Sequence, residues 1–273
     1  MEEELDVERL AKITAYHEAS HFVLALLMNK FDSSFEKPSK EATIKVIIGE
    51  PYEGRISSGL PGVSEEKELA KDEVLRIKQV FGGCFVLLSG YYSYNIFCDG
   101  CGNSIMETVP PKANSENILT KNFEMKSFTL KDKLKEICHP FYVYELKKNK
   151  IKINHDIKKT IDLLRNLWEY KSKDSDDFVR IDKYHDIILF LFNELNKLMR
   201  EEAAVKDAIE LVKDELLKNN GKVIEGKYLN DLIANVEGLT VNINITKYLD
   251  ACEKAYRNDD WYVPLQLPSN WVD

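Results

Sequence analysis

The chain has 273 residues, of which 44% are hydrophobic and 31% are charged. This length and composition are typical of a folded protein with a real hydrophobic core, and they exclude an intrinsically disordered chain. The net charge of −8 argues against nucleic acid as the main partner.

The sequence carries no signal for membrane insertion or secretion. No apolar run approaches the roughly 20 residues of a membrane span, and the acidic N-terminus has no signal-peptide pattern. The five cysteines are an odd number and too sparse for a disulfide scaffold. These features predict a cytoplasmic protein without a membrane span.

The first predicted element is an amphipathic helix that contains a His-Glu-x-x-His motif. Apolar residues recur at steps of three and four across residues 10–28, and Asp6 is the expected N-cap. Within a helix His17 and His21 lie one turn apart on one face, where both can bind a zinc ion. The carboxylate of Glu18 is then placed to take a proton from a water molecule, as in zinc peptidases.

A purely structural interpretation of this motif is two core histidines in a buried helix. Unpaired imidazoles are costly to bury on an apolar face, so a metal site is the favoured interpretation.

Two strands and a second helix are predicted next. Residues 43–48 are rich in β-branched side chains, and residues 55–57 form a short second strand that pairs with them. A periodic apolar pattern predicts a helix over residues 64–92. Close packing against another element is expected to accommodate the glycines of this helix, which are Gly82, Gly83 and Gly90.

The remainder is predicted as mostly helical from Asp156 onward. Three apolar stripes follow, within residues 161–168, 178–198 and 204–217. Residues 223–224 and 240–245 are predicted as short strands. The fold class is therefore mainly α with a small β element. We divide the chain into a metallopeptidase-like core at residues 1–127, an insert of unclear role at 128–175 and a C-terminal helical part at 176–273 that packs on the core.

The motif resembles a known family. Ala15 to His21, Ala-Tyr-His-Glu-Ala-Ser-His, is similar to the Ala-Tyr-His-Glu-Ala-Gly-His signature of the FtsH-type zinc peptidases, the proteolytic domain of membrane-anchored AAA proteases. Further stretches run in the family's order, at residues 43–47, 54–56, 86–90 and 208–229.

The resemblance implies an FtsH-peptidase-like helical metallopeptidase domain with Zn²⁺ as cofactor and a peptide or protein as substrate. In the family, the third ligand is an Asp in a Ser-Asn-Asp-Leu context that opens a later helix. Glu116 stands where we expect this residue, and Asp99 and Glu107 are the alternatives. The implied metal ligands are therefore His17, His21 and Glu116.

Two departures from the family leave a second hypothesis open. Ser20 replaces the Gly of the signature, and no ATPase module is evident, so the expected partners are further copies of the chain or a separate ATPase. The alternative is a catalytically silent fold that acts as a binding or regulatory module. A separate Cys98-x-x-Cys101 pair is only half of a zinc site, and we interpret both as incidental thiols.

Overall fold

The computed structural model describes residues 2–39, 41–45, 53–62, 68–90, 142–145, 150–153, 155–167 and 177–261. The helices of these ranges are α1 (Glu2–Phe31), α2 (Glu73–Ser89), α3 (His155–Leu164), α4 (Asp177–Glu201), α5 (Ala203–Lys218), α6 (Gly226–Leu239) and α7 (Thr246–Asn258). The strands are β1 (Ala42–Lys45), β2 (Glu53–Ile56), β3 (Tyr142–Glu145) and β4 (Lys150–Ile153). The predicted fold class, mainly α with a small β element, is confirmed.

Helix α1 lies at the centre of the described fold, where it packs mainly against α5 and α2. Its residues from Phe22 to Met28 are almost completely buried, so this half of the helix is apolar on every side. A polar contact also joins it to α5, because the Tyr16 hydroxyl donates a hydrogen bond to Glu210. Burial, together with this bond, raises the pKa of Tyr16 to about 12. The core therefore holds the motif helix between Ala15 and Met28.

The glycines of α2 permit the close packing that the sequence predicts. A Cβ atom at Gly82 would lie 2.7 Å from the sulfur of Met28 in α1. A Cβ atom at Gly83 would lie 2.7 Å from Cδ1 of Leu163 in α3. Both distances are shorter than real Cβ contacts, so a side chain at either glycine would force the Met28 or Leu163 side chain to move.

The predicted pair of strands is confirmed as an antiparallel hairpin of β1 and β2, with Ala42 opposite Ile56. On its other side β1 makes a single bridge to the chain between α5 and α6, where Ala42 and Ile224 exchange backbone hydrogen bonds of 3.0 and 2.9 Å. Strands β3 and β4 form a separate antiparallel pair. Strand β2 thus borders only β1 among the described strands.

Helix α3 belongs to the main core, although it falls in the stretch that we predicted as an insert of unclear role. Its buried side chains lie in the same apolar cluster as those of α1, α2 and α4, and they are Ile157, Ile161, Leu163 and Leu164. This packing fixes the N-terminus of α3 beside the middle of α1.

Two predicted helix starts and one predicted strand differ from the structure. Helix α1 begins at Glu2, so the predicted N-cap Asp6 lies inside it. Helix α2 begins at Glu73, after Asp72 whose side chain accepts a hydrogen bond from the Leu75 amide at 2.8 Å, rather than at the predicted residue 64. Residues 240–245 form a turn instead of a strand, because their backbone bonds locally, with the Ile243 amide donating to the Thr240 carbonyl at 3.0 Å.

Within the ranges given above, no helix is both long enough and apolar enough to cross a membrane.

Candidate metal centre

Two histidines of α1 and an aspartate of α3 meet at one point. Nε2 of His17 lies 3.0 Å from Nε2 of His21. The Oδ2 atom of Asp156 lies 3.3 Å from the first nitrogen and 3.5 Å from the second. Among the described residues, this is the one group of three potential metal ligands whose ligand atoms all lie within 4.8 Å of one another.

The spacing of these three atoms fits a tetrahedral zinc ion. Zinc binds His nitrogens and carboxylate oxygens at about 2.0–2.1 Å, so two ligand atoms of a tetrahedron stand about 3.4 Å apart. The observed separations of 3.0, 3.3 and 3.5 Å bracket this value. Three protein ligands would leave the fourth vertex for water or substrate, as in catalytic rather than structural zinc sites. The residues present therefore fit the metal that the motif implies.

A backbone carbonyl of α2 orients the ring of His21 by contacting its Nδ1 atom. Its Nδ1 lies 2.6 Å from the carbonyl oxygen of Val86, which belongs to the last turn of the helix. The last four carbonyls of a helix have no backbone N–H partner within the helix, so this one can accept the Nδ1 proton. A neutral imidazole with its proton on Nδ1 directs the Nε2 lone pair toward the metal position.

The charges of the three groups are strongly coupled. Burial acts to lower the pKa of His21, but the hydrogen bond and negative charge of Asp156 outweigh it and raise that pKa to about 9. Burial acts to raise the pKa of Asp156, but His17 and His21 outweigh it and hold that pKa well below its usual range. The site thus attracts positive charge, and a proton and a metal ion compete for the same nitrogen. A metal ion bound here would therefore be held more weakly as the pH is lowered.

Gly90 provides the space for the ring of His17. A Cβ atom at this residue, directly after α2, would lie 2.4 Å from Cε1 and 2.5 Å from Nδ1 of the imidazole. Gly90 is buried and has ordinary right-handed backbone angles, so glycine is needed here for space rather than for conformation.

Gly90→Ala is expected to weaken zinc binding by at least about tenfold, because the new methyl group displaces the His17 ring. The measurement is a zinc titration against a competing chelator. Gly238→Ala in α6 is the matched control, since a Cβ atom there meets nothing within 4 Å. Unchanged affinity in Gly90→Ala would show that His17 does not bind the metal from this position.

Glu18 lies beside the cluster but is not one of its three potential ligands. The residue is only 8% exposed, and burial raises the pKa of its carboxyl group. A Cβ atom at Gly54 of β2 would lie 2.4 Å from its Oε1 atom, so the strand backbone passes directly against the carboxylate. The hairpin therefore limits the positions that the Glu18 side chain can adopt.

Gly54→Ala is expected to reduce peptide hydrolysis on the order of 100-fold while zinc binding is retained, because the methyl group moves the base and not the ligands. Hydrolysis and zinc content are measured on the same preparation. Gly59→Ala is the control, since its Cβ would press on the carboxylate of Glu36, an exposed side chain that can move away. Full activity in Gly54→Ala would contradict the close contact with Glu18.

The structure brings together three of the four residues that the sequence predicts for the site: His17, Glu18 and His21. The predicted ligand Glu116 and its alternatives Asp99 and Glu107 lie outside the described residues, so that assignment stays a prediction. The carboxylate that the structure places at the histidines is Asp156, which we did not predict as a ligand.

A signal for Asp156 exists in the sequence. Residues 154–157 read Asn-His-Asp-Ile, with an aspartate followed by an aliphatic residue at the start of a predicted helix. Asp156 matches the aspartate of the Ser-Asn-Asp-Leu context that the family resemblance implies, and Ile157 stands where that context has leucine.

The other motifs have different outcomes. Ser20 is completely buried, and its hydroxyl donates to the Tyr16 carbonyl at 2.8 Å, so serine at this position has its hydrogen bond satisfied within α1. Cys98 and Cys101 lie outside the described residues.

Comparison with known proteins gives no match: no family model, no curated protein and no solved structure is significantly similar to this chain. The likeness to FtsH-type peptidases therefore depends on the motif residues themselves.

Proposed function

We propose that this chain is a zinc-dependent metallopeptidase with an FtsH-peptidase-like fold that hydrolyses peptide bonds of a peptide or protein substrate. The observation that carries the proposal is the meeting of Asp156 with both motif histidines at the spacing of zinc ligands. A His-Glu-x-x-His sequence alone predicts two ligands, and the carboxylate of Asp156, which lies at the start of a distant helix, would make a third.

In this proposal His17, His21 and Asp156 hold the metal through Nε2, Nε2 and Oδ2. Bound zinc would supply Lewis acidity, which polarises water and the substrate carbonyl. The Val86 carbonyl keeps the proton of His21 on Nδ1, so that Nε2 is available as a ligand.

Glu18 moves the proton of the reaction. Its carboxylate accepts a proton from water as the water oxygen forms a bond to the peptide carbon. It then donates that proton to the nitrogen of the leaving amine as the carbon–nitrogen bond breaks, so no net proton is consumed. Burial raises the pKa of Glu18, which makes its carboxylate a stronger base than an exposed one.

The test is hydrolysis of casein and of a mixed peptide library by the purified chain. We expect activity that a chelator abolishes and that added zinc restores. Zinc binding without hydrolysis of any substrate would instead support the binding or regulatory module, and an activity that is insensitive to chelators would contradict the proposal.

A further inference from the structure

Ser89, the last residue of α2, lies behind the ring of His21 without belonging to the set of metal ligands. It is completely buried, and its Oγ lies 3.4 Å from Nδ1 of His21. The same hydroxyl donates a hydrogen bond to the Val86 carbonyl at 2.7 Å. That carbonyl is also the acceptor of the Nδ1 proton, at 2.6 Å. Ser89, Val86 and His21 therefore form a closed triangle of polar contacts.

The direction of the Ser89 hydroxyl proton determines whether Nδ1 of His21 faces a hydrogen-bond donor or an acceptor. A serine hydroxyl has one proton and two lone pairs, and the proton is used on the Val86 carbonyl. The oxygen of Ser89 consequently presents a lone pair to Nδ1, as does the carbonyl oxygen. Two acceptors on this side of the ring favour a proton on Nδ1 and disfavour the tautomer that carries its proton on Nε2.

We infer that Ser89 is a positioning residue that, with the Val86 carbonyl, fixes the tautomer and the ring orientation of His21 so that Nε2 points to the metal. This inference rests on the proposed function, because it assigns a role toward the metal that the peptidase would bind. Ser89 does not contact the metal position itself, and it acts through the imidazole.

A simpler role for this hydroxyl is helix capping alone, since serines near helix ends often bond to a carbonyl of the preceding turn. The two roles predict different effects of Ser89 on protein stability and on zinc affinity. A capping serine contributes to stability but does not affect the affinity of the site for zinc. A positioning serine affects both, since an outer hydrogen-bond partner of a metal-binding His is typically worth 10- to 100-fold in affinity.

The experiment compares wild type with Ser89→Ala and Ser89→Gly, using zinc chloride titrated against a competing chelator. Thr240→Val is the matched control, because Thr240 is also a buried residue at a helix end whose hydroxyl donates to a carbonyl of the preceding turn, that of Val236 at 2.9 Å. The second readout is the solvent exchange of the His21 Nδ1 proton, followed by NMR of ¹⁵N-histidine protein with and without zinc.

We expect both Ser89 variants to bind zinc about tenfold more weakly and to exchange the Nδ1 proton faster, while Thr240→Val changes neither. If the Ser89 variants stay within about twofold of the wild-type affinity with unchanged exchange, the inference is wrong and the peptidase proposal stands. If wild type binds no zinc, the peptidase proposal fails, and the exchange rate alone then decides whether Ser89 orients His21. If Ser89→Ala does not fold, Ser89→Gly provides the comparison, and equal affinity and exchange in that variant overturn the inference.

Discussion

Asp156→Ala is expected to abolish stoichiometric zinc binding, from about one ion per chain in wild type to none after dialysis. The reason is that only two histidines would remain, and they would lose the negative charge that lies 3.3 and 3.5 Å from their Nε2 atoms. The measurement is elemental analysis of the purified variants. Thermal unfolding provides a second readout, since zinc at 100 times its Kd stabilises a folded site by about 2.7 kcal/mol, and this gain should be lost in Asp156→Ala.

Glu116→Gln is the variant that makes this result decisive. The sequence predicts Glu116 as the third ligand, whereas the structure places Asp156 at the histidines. We expect Glu116→Gln to bind zinc as wild type does. Loss of zinc in Glu116→Gln with retention in Asp156→Ala would reverse the assignment and restore the sequence-based prediction.

Glu18→Gln is expected to lower kcat/KM for peptide hydrolysis by at least about 100-fold while zinc content stays unchanged. Glutamine keeps the size of the side chain against Gly54, but its amide cannot accept and return the proton. Casein hydrolysis and elemental analysis on one preparation measure both quantities.

The control for this prediction is Glu237→Gln, which removes a half-exposed carboxylate of α6 that pairs with Lys37 at the surface. We expect it to retain full activity. Wild-type turnover in Glu18→Gln would remove Glu18 as the base, whereas loss of zinc in that variant would assign the carboxylate a role as ligand.

The part of the site that lies within one helix is predictable from the sequence because its geometry is local. Residues at i and i+4 share a helix face whatever the rest of the chain does, so His17 and His21 converge by the repeat of α1 alone. Their periodic apolar context also predicts the helix. The structure adds that the same helix is buried on every side from Phe22 to Met28.

The proposed third ligand, Asp156, is harder to predict because its position depends on the path of the whole chain. Asp156 reaches the histidines because α2 lies between α1 and α3 and packs against both helices. Gly82 lies at the contact of α2 with α1, and Gly83 lies at its contact with α3. Nothing local to Asp156 encodes that approach. A helix-opening aspartate next to an aliphatic residue is common, so the resemblance of residues 154–157 to the family context is informative only once the packing is known.

Residues 240–245 illustrate the opposite case, in which tertiary contacts override a local preference for a strand. Alternating β-branched residues predict a strand there. In the structure the segment connects α6 to α7, buries Ile243 and Ile245, and offers the carbonyls of Thr240 and Ile243 to the Lys30 ammonium at 3.2 and 3.3 Å. Carbonyls bound by a lysine of α1 do not extend a sheet.

The measurement that tests the central claim most directly is the zinc content of the purified wild-type chain beside His17→Ala, by elemental analysis after zinc addition and dialysis. The account predicts about one zinc per wild-type chain and none in the variant. A wild-type chain that retains no zinc under these conditions would contradict it, and the convergence of His17, His21 and Asp156 would then be an ion-pair cluster of the fold rather than a metal centre.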